Sequence, residues 1–304
     1  MPSLRAWLLE QAVRRFLRPL LSVEVRAADL LRAQQRLERW VSFLPRPRHV
    51  DVQAWRGGDL RGEWLRPHRQ RSNAVVLYLH GGAYIIGSPA SHRDLTASLA
   101  HKTGLCVLTL DYRLAPQACF PAWRDDAIAA YDALLAQGYG ADQIIFAGDS
   151  AGGNLVLSCA LQLQQEGRPM PAALVLLSPW TDMHCQSASM RLLAPFDAML
   201  DVASLTQLGR YHARAHALDD PGLSPLYGDM RGLPPTLLQV SDSEVLLDDG
   251  LQWATRAEAA GVIVERQIRP GMMHVFQLFC RWLPEADHAV DDIAAFITAH
   301  LPAH

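Results

Sequence analysis

Long apolar runs are missing from this chain of 304 residues. No stretch reaches the roughly 20 consecutive apolar residues that a membrane-spanning helix needs. Arg5, Glu10, Arg14, Arg15 and Arg18 interrupt every apolar run near the start, so no secretory core is read there. Leu4, Leu8, Leu9 and Phe16, with Val13 between, instead fall near helical spacing. That predicts an amphipathic helix lying across the body of the protein rather than on a lipid surface. Cysteine is sparse: Cys106, Cys119, Cys159, Cys185 and Cys280 are odd in number and show no CxxC spacing. A disulfide framework and a zinc site are therefore disfavoured, and a reducing compartment, the cytoplasm, is expected. An excess of charge of one sign is lacking too. The net charge of −3 offers no electrostatic case for nucleic acid, and the 12 histidines form no tract. Core-forming material is ample, at 50% hydrophobic against 19% charged residues, which excludes disorder.

Six short apolar runs punctuate the chain after residue 45: residues 74–80, 105–113, 144–150, 172–180, 236–244 and 262–268. Rich in β-branched residues and free of alternation, they suit strands buried on both faces of a parallel sheet. Helical patterns follow over residues 89–101, 123–137, 151–166, 248–260 and 286–300. Gly138, Gly167 and Gly261 stand just past three of them as stop signals. This alternation predicts an α/β fold with a mostly parallel, doubly wound sheet. No internal repeat or low-complexity segment breaks it. Two segments stand outside the rhythm, residues 1–45 and about 183–218, the latter containing the helix-like DVASLTQLGRYHARA. Open α/β sheets bind ligands outside the carboxyl ends of their strands. A helical cap made by both segments, over a catalytic domain of residues 46–304, is therefore expected.

The chemistry is announced by FAGDSAGGN. Gly148-Asp149-Ser150-Ala151-Gly152 fits G-x-S-x-G between an apparent strand and an apparent helix, the context in which that motif presents a nucleophilic serine. The turn is sharp, so Gly148 and Gly152 remove side-chain clashes, and the amide of Ala151 opens a helix whose dipole favours negative charge. A nucleophilic serine needs a base, and the base needs an acid, in the chain order Ser, acid, His. His274, in the loop after the sixth run, is the histidine with that order and a strand-end position. Asp242 and Glu244 both end the fifth run, and either carboxylate could orient the imidazole. Asp248 and Asp249 suit the first turn of the following helix. For oxyanion donors the candidates are the consecutive amides of HGGAY, with Gly82 and Ala83 joining Ala151 and Gly81 shaping the loop.

Together HGGAY at 80–84, DYRLAP at 111–116, GDSAGGN at 148–154, LSPW at 177–180 and PGMMH at 270–274 resemble the hormone-sensitive lipase family of α/β-hydrolases, the bacterial carboxylesterase group. The resemblance spans about residues 45–300. It implies an α/β-hydrolase fold, hydrolysis of short- to medium-chain acyl esters, no cofactor, a helical cap and often a homodimer. It also implies that DYRLAP braces the oxyanion loop, rather than Asp111 and Arg113 clamping substrate. The chain departs from the family at Ala83, where a third glycine is usual, and around the acid. Aligning Asp248 with the second Asp of the family's D-P-L-x-D puts Glu244 at the acid position, with Asp242 as the fallback. The implied site is Ser150, Glu244 and His274, with Gly81, Gly82, Ala83 and Ala151 at the oxyanion hole. Two rivals are an amidase or peptidase using the same triad and a ligand-binding homologue without catalysis.

Overall fold

The computed structural model describes residues 3–22 and 25–302. Three helices come first: α1 (Leu4–Ala12), which runs through a π-helical turn at Val13–Leu17 into α2 (Arg18–Leu21), and α3 (Ala27–Val41). The face that α1 buries is not the one its spacing suggests. Ala6 and Val13 are buried and Leu9 is half-buried, while Leu4, Leu8 and Phe16 stay exposed. Helical periodicity identifies apolar stripes but not which of them finds a partner.

One eight-stranded sheet follows. It comprises β1 (Val50–Gly57), β2 (Leu60–Pro67), β3 (Val75–Leu79), β4 (Cys106–Asp111), β5 (Ile144–Asp149), β6 (Ala173–Leu177), β7 (Thr236–Ser241) and β8 (Val264–Arg269). The order across the sheet is β1-β2-β4-β3-β5-β6-β7-β8. The first two strands are an antiparallel hairpin that sequence reasoning missed. They carry polar residues at many positions and no continuous apolar run; the Gly58-Asp59 turn between them was the available signal. The remaining strands run parallel, and every residue of β3, β5, β6 and β7 is buried. Strand β8 is a correction to the expectation of burial on both faces. It forms one open edge, opposite β1, and its residues are half-buried or exposed.

The crossovers are α4 (Arg93–Thr103), α5 (Ala122–Ala136), α6 (Ala151–Gln165) and, after two small helices, α9 (Leu247–Ala259); α10 (Pro284–Ala299) ends the described fold. Gly138, Gly167 and Gly261 take left-handed φ where the helices stop. The small helices are α7 (Ala188–Leu192) and α8 (Val202–Ala213), both inside residues 183–218. Asp201 caps α8 by accepting from the Ser204 amide at 2.8 Å. This segment meets the N-terminal helices directly: Arg14 donates to the carbonyls of Phe196 and Asp197 at 2.7 and 3.1 Å, and Arg18 to that of Asp197 at 3.0 Å.

Strand order positions the site. The chain leaves β3 for β4 on one side and returns to β5 on the other, so the carboxyl ends of β3 and β5 flank a topological switch point. Leu79 pairs with Gly148, and Asp149 with Leu177. The HGGAY loop and Ser150 therefore leave the sheet side by side.

Candidate active site

Ser150 sits between β5 and α6 with φ +52°, a strained conformation for a residue with a side chain. Its amide donates to the Leu177 carbonyl at 2.8 Å and its carbonyl accepts from Trp180 at 3.1 Å, which hold the turn. The flanking glycines are required by crowding: a Cβ on Gly148 would lie 2.5 Å from the Gly152 carbonyl oxygen, and one on Gly152 would overlap that of Leu79.

Beyond β7 the chain turns, and that turn separates the two candidate acids. Glu244 is fully buried, with Oε2 at 2.5 Å from His274 Nδ1. Its other oxygen accepts from Ser178 Oγ at 2.8 Å and from the Ser241 amide at 2.7 Å, so the carboxylate is fixed in orientation. Asp242 is exposed and accepts from the Gly271 amide at 2.7 Å, at the start of the histidine loop. His274 is itself buried. Burial works against its charged form, but the hydrogen bond to Glu244 and the charges of Glu244, Asp197 and Asp149 outweigh it and hold the imidazole pKa above its ordinary value. Val275, a β-branched residue, is forced to φ +46° immediately after it.

Ser150 and His274 line one cavity of about 320 Å³ with apolar walls. Leu9, Val13 and Phe16 come from the N-terminal helices, Met199 and Leu200 from the 183–218 segment, and Leu278 and Phe279 from the turn after His274. No hydrogen bond joins Ser150 Oγ to His274 among the described residues; such bonds are often long without ligand and tighten when substrate binds.

The HGGAY loop carries a run of left-handed residues, Gly82 at φ +113°, Ala83 at +53° and Tyr84 at +59°. Among the described residues, the amides of Gly82, Ala83 and Ala151 donate to no protein group. The Gly81 amide is committed to Asp149 Oδ1 at 3.0 Å, in keeping with a loop-shaping rather than a donor role for Gly81. Asp149 also accepts from Tyr78 at 2.8 Å and lies 3.3 Å from His92 Nε2. Burial raises the cost of its charge, yet His92, Tyr78 and His80 together hold its pKa below the ordinary value. Burial, with His92 nearby, brings His80 down to about 3, so that ring is neutral.

The model of a family described as having the alpha/beta hydrolase fold matches residues 76–278. A solved esterase of the bacterial hormone-sensitive lipase family superposes with TM-score 0.91 at 35% identity, covering 99% of this chain and 100% of its own. The chain belongs to that family of α/β-hydrolases. Among its relatives, the α/β-hydrolase is 38% identical over 265 residues to an esterase of Acinetobacter venetianus, covering 86% of this chain and 87% of the relative. It is 40% identical over 240 residues to an acetyl-hydrolase of Streptomyces hygroscopicus, covering 79% and 80%.

In this α/β-hydrolase several supporting residues escaped the sequence reading. Asn154, fully buried, accepts from Tyr84 Oη at 2.7 Å and donates to the carbonyls of Trp180 and Leu223, both at 2.7 Å. His212, held near 4 and therefore neutral by burial, donates from Nε2 to the Ala83 carbonyl at 2.8 Å. Asp197 accepts from the amides of Met199, Leu200 and Val245 at 2.8, 2.8 and 2.9 Å. Buried Asn and His in helical patterns read as helix residues, and only their tertiary partners give them away. The DYRLAP segment does brace the loop: Tyr112 Oη donates to the His80 carbonyl at 2.5 Å and the Ala115 amide to that of Tyr84 at 2.9 Å. Asp111 and Arg113 are exposed, and Arg113 is paired with Asp126. Among the described residues no group of three His, Cys, Asp or Glu side chains is arranged to hold a metal ion.

Proposed function

We propose that this chain is a serine carboxylesterase in which Ser150 is the nucleophile, His274 the base and Glu244 the orienting acid. The observation that carries the reading is the Glu244–His274 pair, buried at 2.5 Å, whose imidazole lines the same apolar cavity as the strained Ser150. His274 takes the Ser150 proton as Oγ attacks the ester carbonyl carbon. The amides of Gly82, Ala83 and Ala151 receive the oxyanion, and the tetrahedral intermediate collapses as His274 gives its proton to the leaving alkoxide. Water then repeats the sequence on the acyl-enzyme, restoring Ser150 and releasing the carboxylic acid. Glu244 keeps the Nδ1 proton in place, so Nε2 is the atom that accepts and returns the proton.

A cavity of about 320 Å³ is at the small end of the roughly 300–1,000 Å³ of small-molecule sites, and its apolar walls favour short- to medium-chain acyl groups. Residues 1–45 and 183–218 act as the cap, since both supply walls above Ser150. Five free thiols, four of them buried, fit a cytoplasmic enzyme. The open edge of β8 offers a surface where two copies could pair. Covalent labelling with a serine-directed phosphonate, followed by peptide mapping, tests the mechanism. Label on Ser150, and loss of turnover of a chromogenic short acyl ester on Ser150→Ala, are expected; an unlabelled Ser150 refutes it.

A further inference from the structure

We propose that the outer face of the N-terminal helices docks on an anionic lipid surface and seats the mouth of the cavity there. Leu4, Trp7, Leu8, Phe16 and Phe43 are each more than half exposed. On α1 and its π-helical extension, Leu4, Trp7, Leu8, Gln11, Ala12, Arg15 and Phe16 follow one another on exposed positions, with Arg5 among them and no carboxylate. Single exposed apolar residues are ordinary on protein surfaces; several aligned along one uncovered helix face mark an interaction face. Trp40, Leu44 and Trp282 are also partly exposed, and they line the cavity together with Phe16, so the apolar face and the cavity mouth are continuous.

Charge selects the occupant. Residues 1–48 hold ten arginines and four carboxylates, an excess of six positive charges in a chain whose net charge is −3, which leaves the remainder at −9. Arg5, Arg15, Arg36, Arg39, Arg46 and Arg48 are exposed, and among the described residues none forms an ion pair. The Arg15 guanidinium lies 5.8 Å from the Phe16 ring, so cation and apolar surface are interleaved. A second copy would set two such positive faces against each other and be repelled. An anionic headgroup layer accepts both the arginines and the aromatic and aliphatic side chains, the composition of helices that lie in a membrane interface. No helix among the described residues is long and apolar enough to cross a bilayer, so the contact is peripheral.

Flotation of the full chain with phosphatidylcholine vesicles, with and without phosphatidylglycerol, tests this. Binding is expected to the phosphatidylglycerol vesicles, weakening sharply at high salt. Arg5→Gln with Arg15→Gln should lower it by about thirtyfold, and Leu4→Ser with Trp7→Ser and Leu8→Ser should abolish it. None of these five residues lines the cavity, so unchanged circular dichroism and unchanged turnover of a soluble short ester establish that the variants fold. Ser150→Ala should float like the native chain, which keeps this result separate from the fate of the esterase reading. Absence of flotation, equal flotation with and without phosphatidylglycerol, or equal flotation of native and triple variant overturns the proposal. So does a native dimer that the triple variant converts to monomer, an outcome that assigns the face to a second copy.

Discussion

Glu244 Oε2 lies 2.5 Å from His274 Nδ1 in a fully buried pair, although Asp242 is only two residues away. Asp242 is spent on the Gly271 amide instead. The two carboxylates therefore separate by kinetics. Glu244→Ala should lower kcat by about 10⁴-fold, the scale on which triad acids act. Asp242→Ala should cost less than about tenfold, as expected of a surface hydrogen bond. Steady-state turnover of a short acyl ester measures both; the reverse ranking would transfer the acid role to Asp242.

The imidazole of His274 is held above its ordinary pKa by Glu244, Asp197 and Asp149 against the opposing effect of burial. Only the neutral ring can accept the Ser150 proton, so kcat/KM should fall on the acidic side with a midpoint above the ordinary histidine value of about 6.5. Asp197→Asn removes one of those charges while leaving an oxygen for the Met199 and Leu200 amides, and should move that midpoint down in pH. A raised folded-state pKa also means that stability from the charged ring is complete below the unfolded value and is lost as pH climbs through the folded one. Tm of the native chain should decline over that window, and less so in His274→Gln.

Gly152 has no room for a methyl group against the Leu79 and His80 carbonyls, both backbone atoms. Gly152→Ala should destabilise the chain by about 3 kcal/mol, because the backbone at the end of β3 and the first turn of α6 would have to part. Chemical denaturation with circular dichroism measures it; an unaltered midpoint would mean that the elbow is looser than described.

His212 ties the 183–218 segment to the oxyanion loop through the Ala83 carbonyl. His212→Ala should lower kcat by on the order of tenfold to a hundredfold with little change in KM, since a misplaced donor is felt in the transition state. His212→Gln, which can still donate, should recover part of the loss. A rise in KM with kcat unchanged would assign His212 to substrate binding.

Local chemistry alone carried much of this reading. The G-x-S-x-G turn and the apolar runs of β3 to β7 are legible because each depends on residues adjacent in the chain, and the order of serine, acid and histidine is read directly along it. Conformational demands such as a tight turn, or burial on both faces of a strand, leave their mark on composition at the spot where they act. The β1–β2 hairpin was illegible because its half-exposed strands carry no continuous apolar run and join the sheet only through the pairing of β2 with β4. Strand alternation left Glu244 and Asp242 open until the family resemblance favoured Glu244. The fold sets Glu244 against His274 and Asp242 against Gly271, since the chain turns after Ser241 and the shared strand face no longer holds. It also decided which stripe of α1 is buried, for a helix can advertise an apolar face but its packing partner lies elsewhere in the fold. The sequence by itself thus supplied the candidate groups, Ser150, Glu244 and His274, and their order along the chain. Packing between distant segments decided which of them meet.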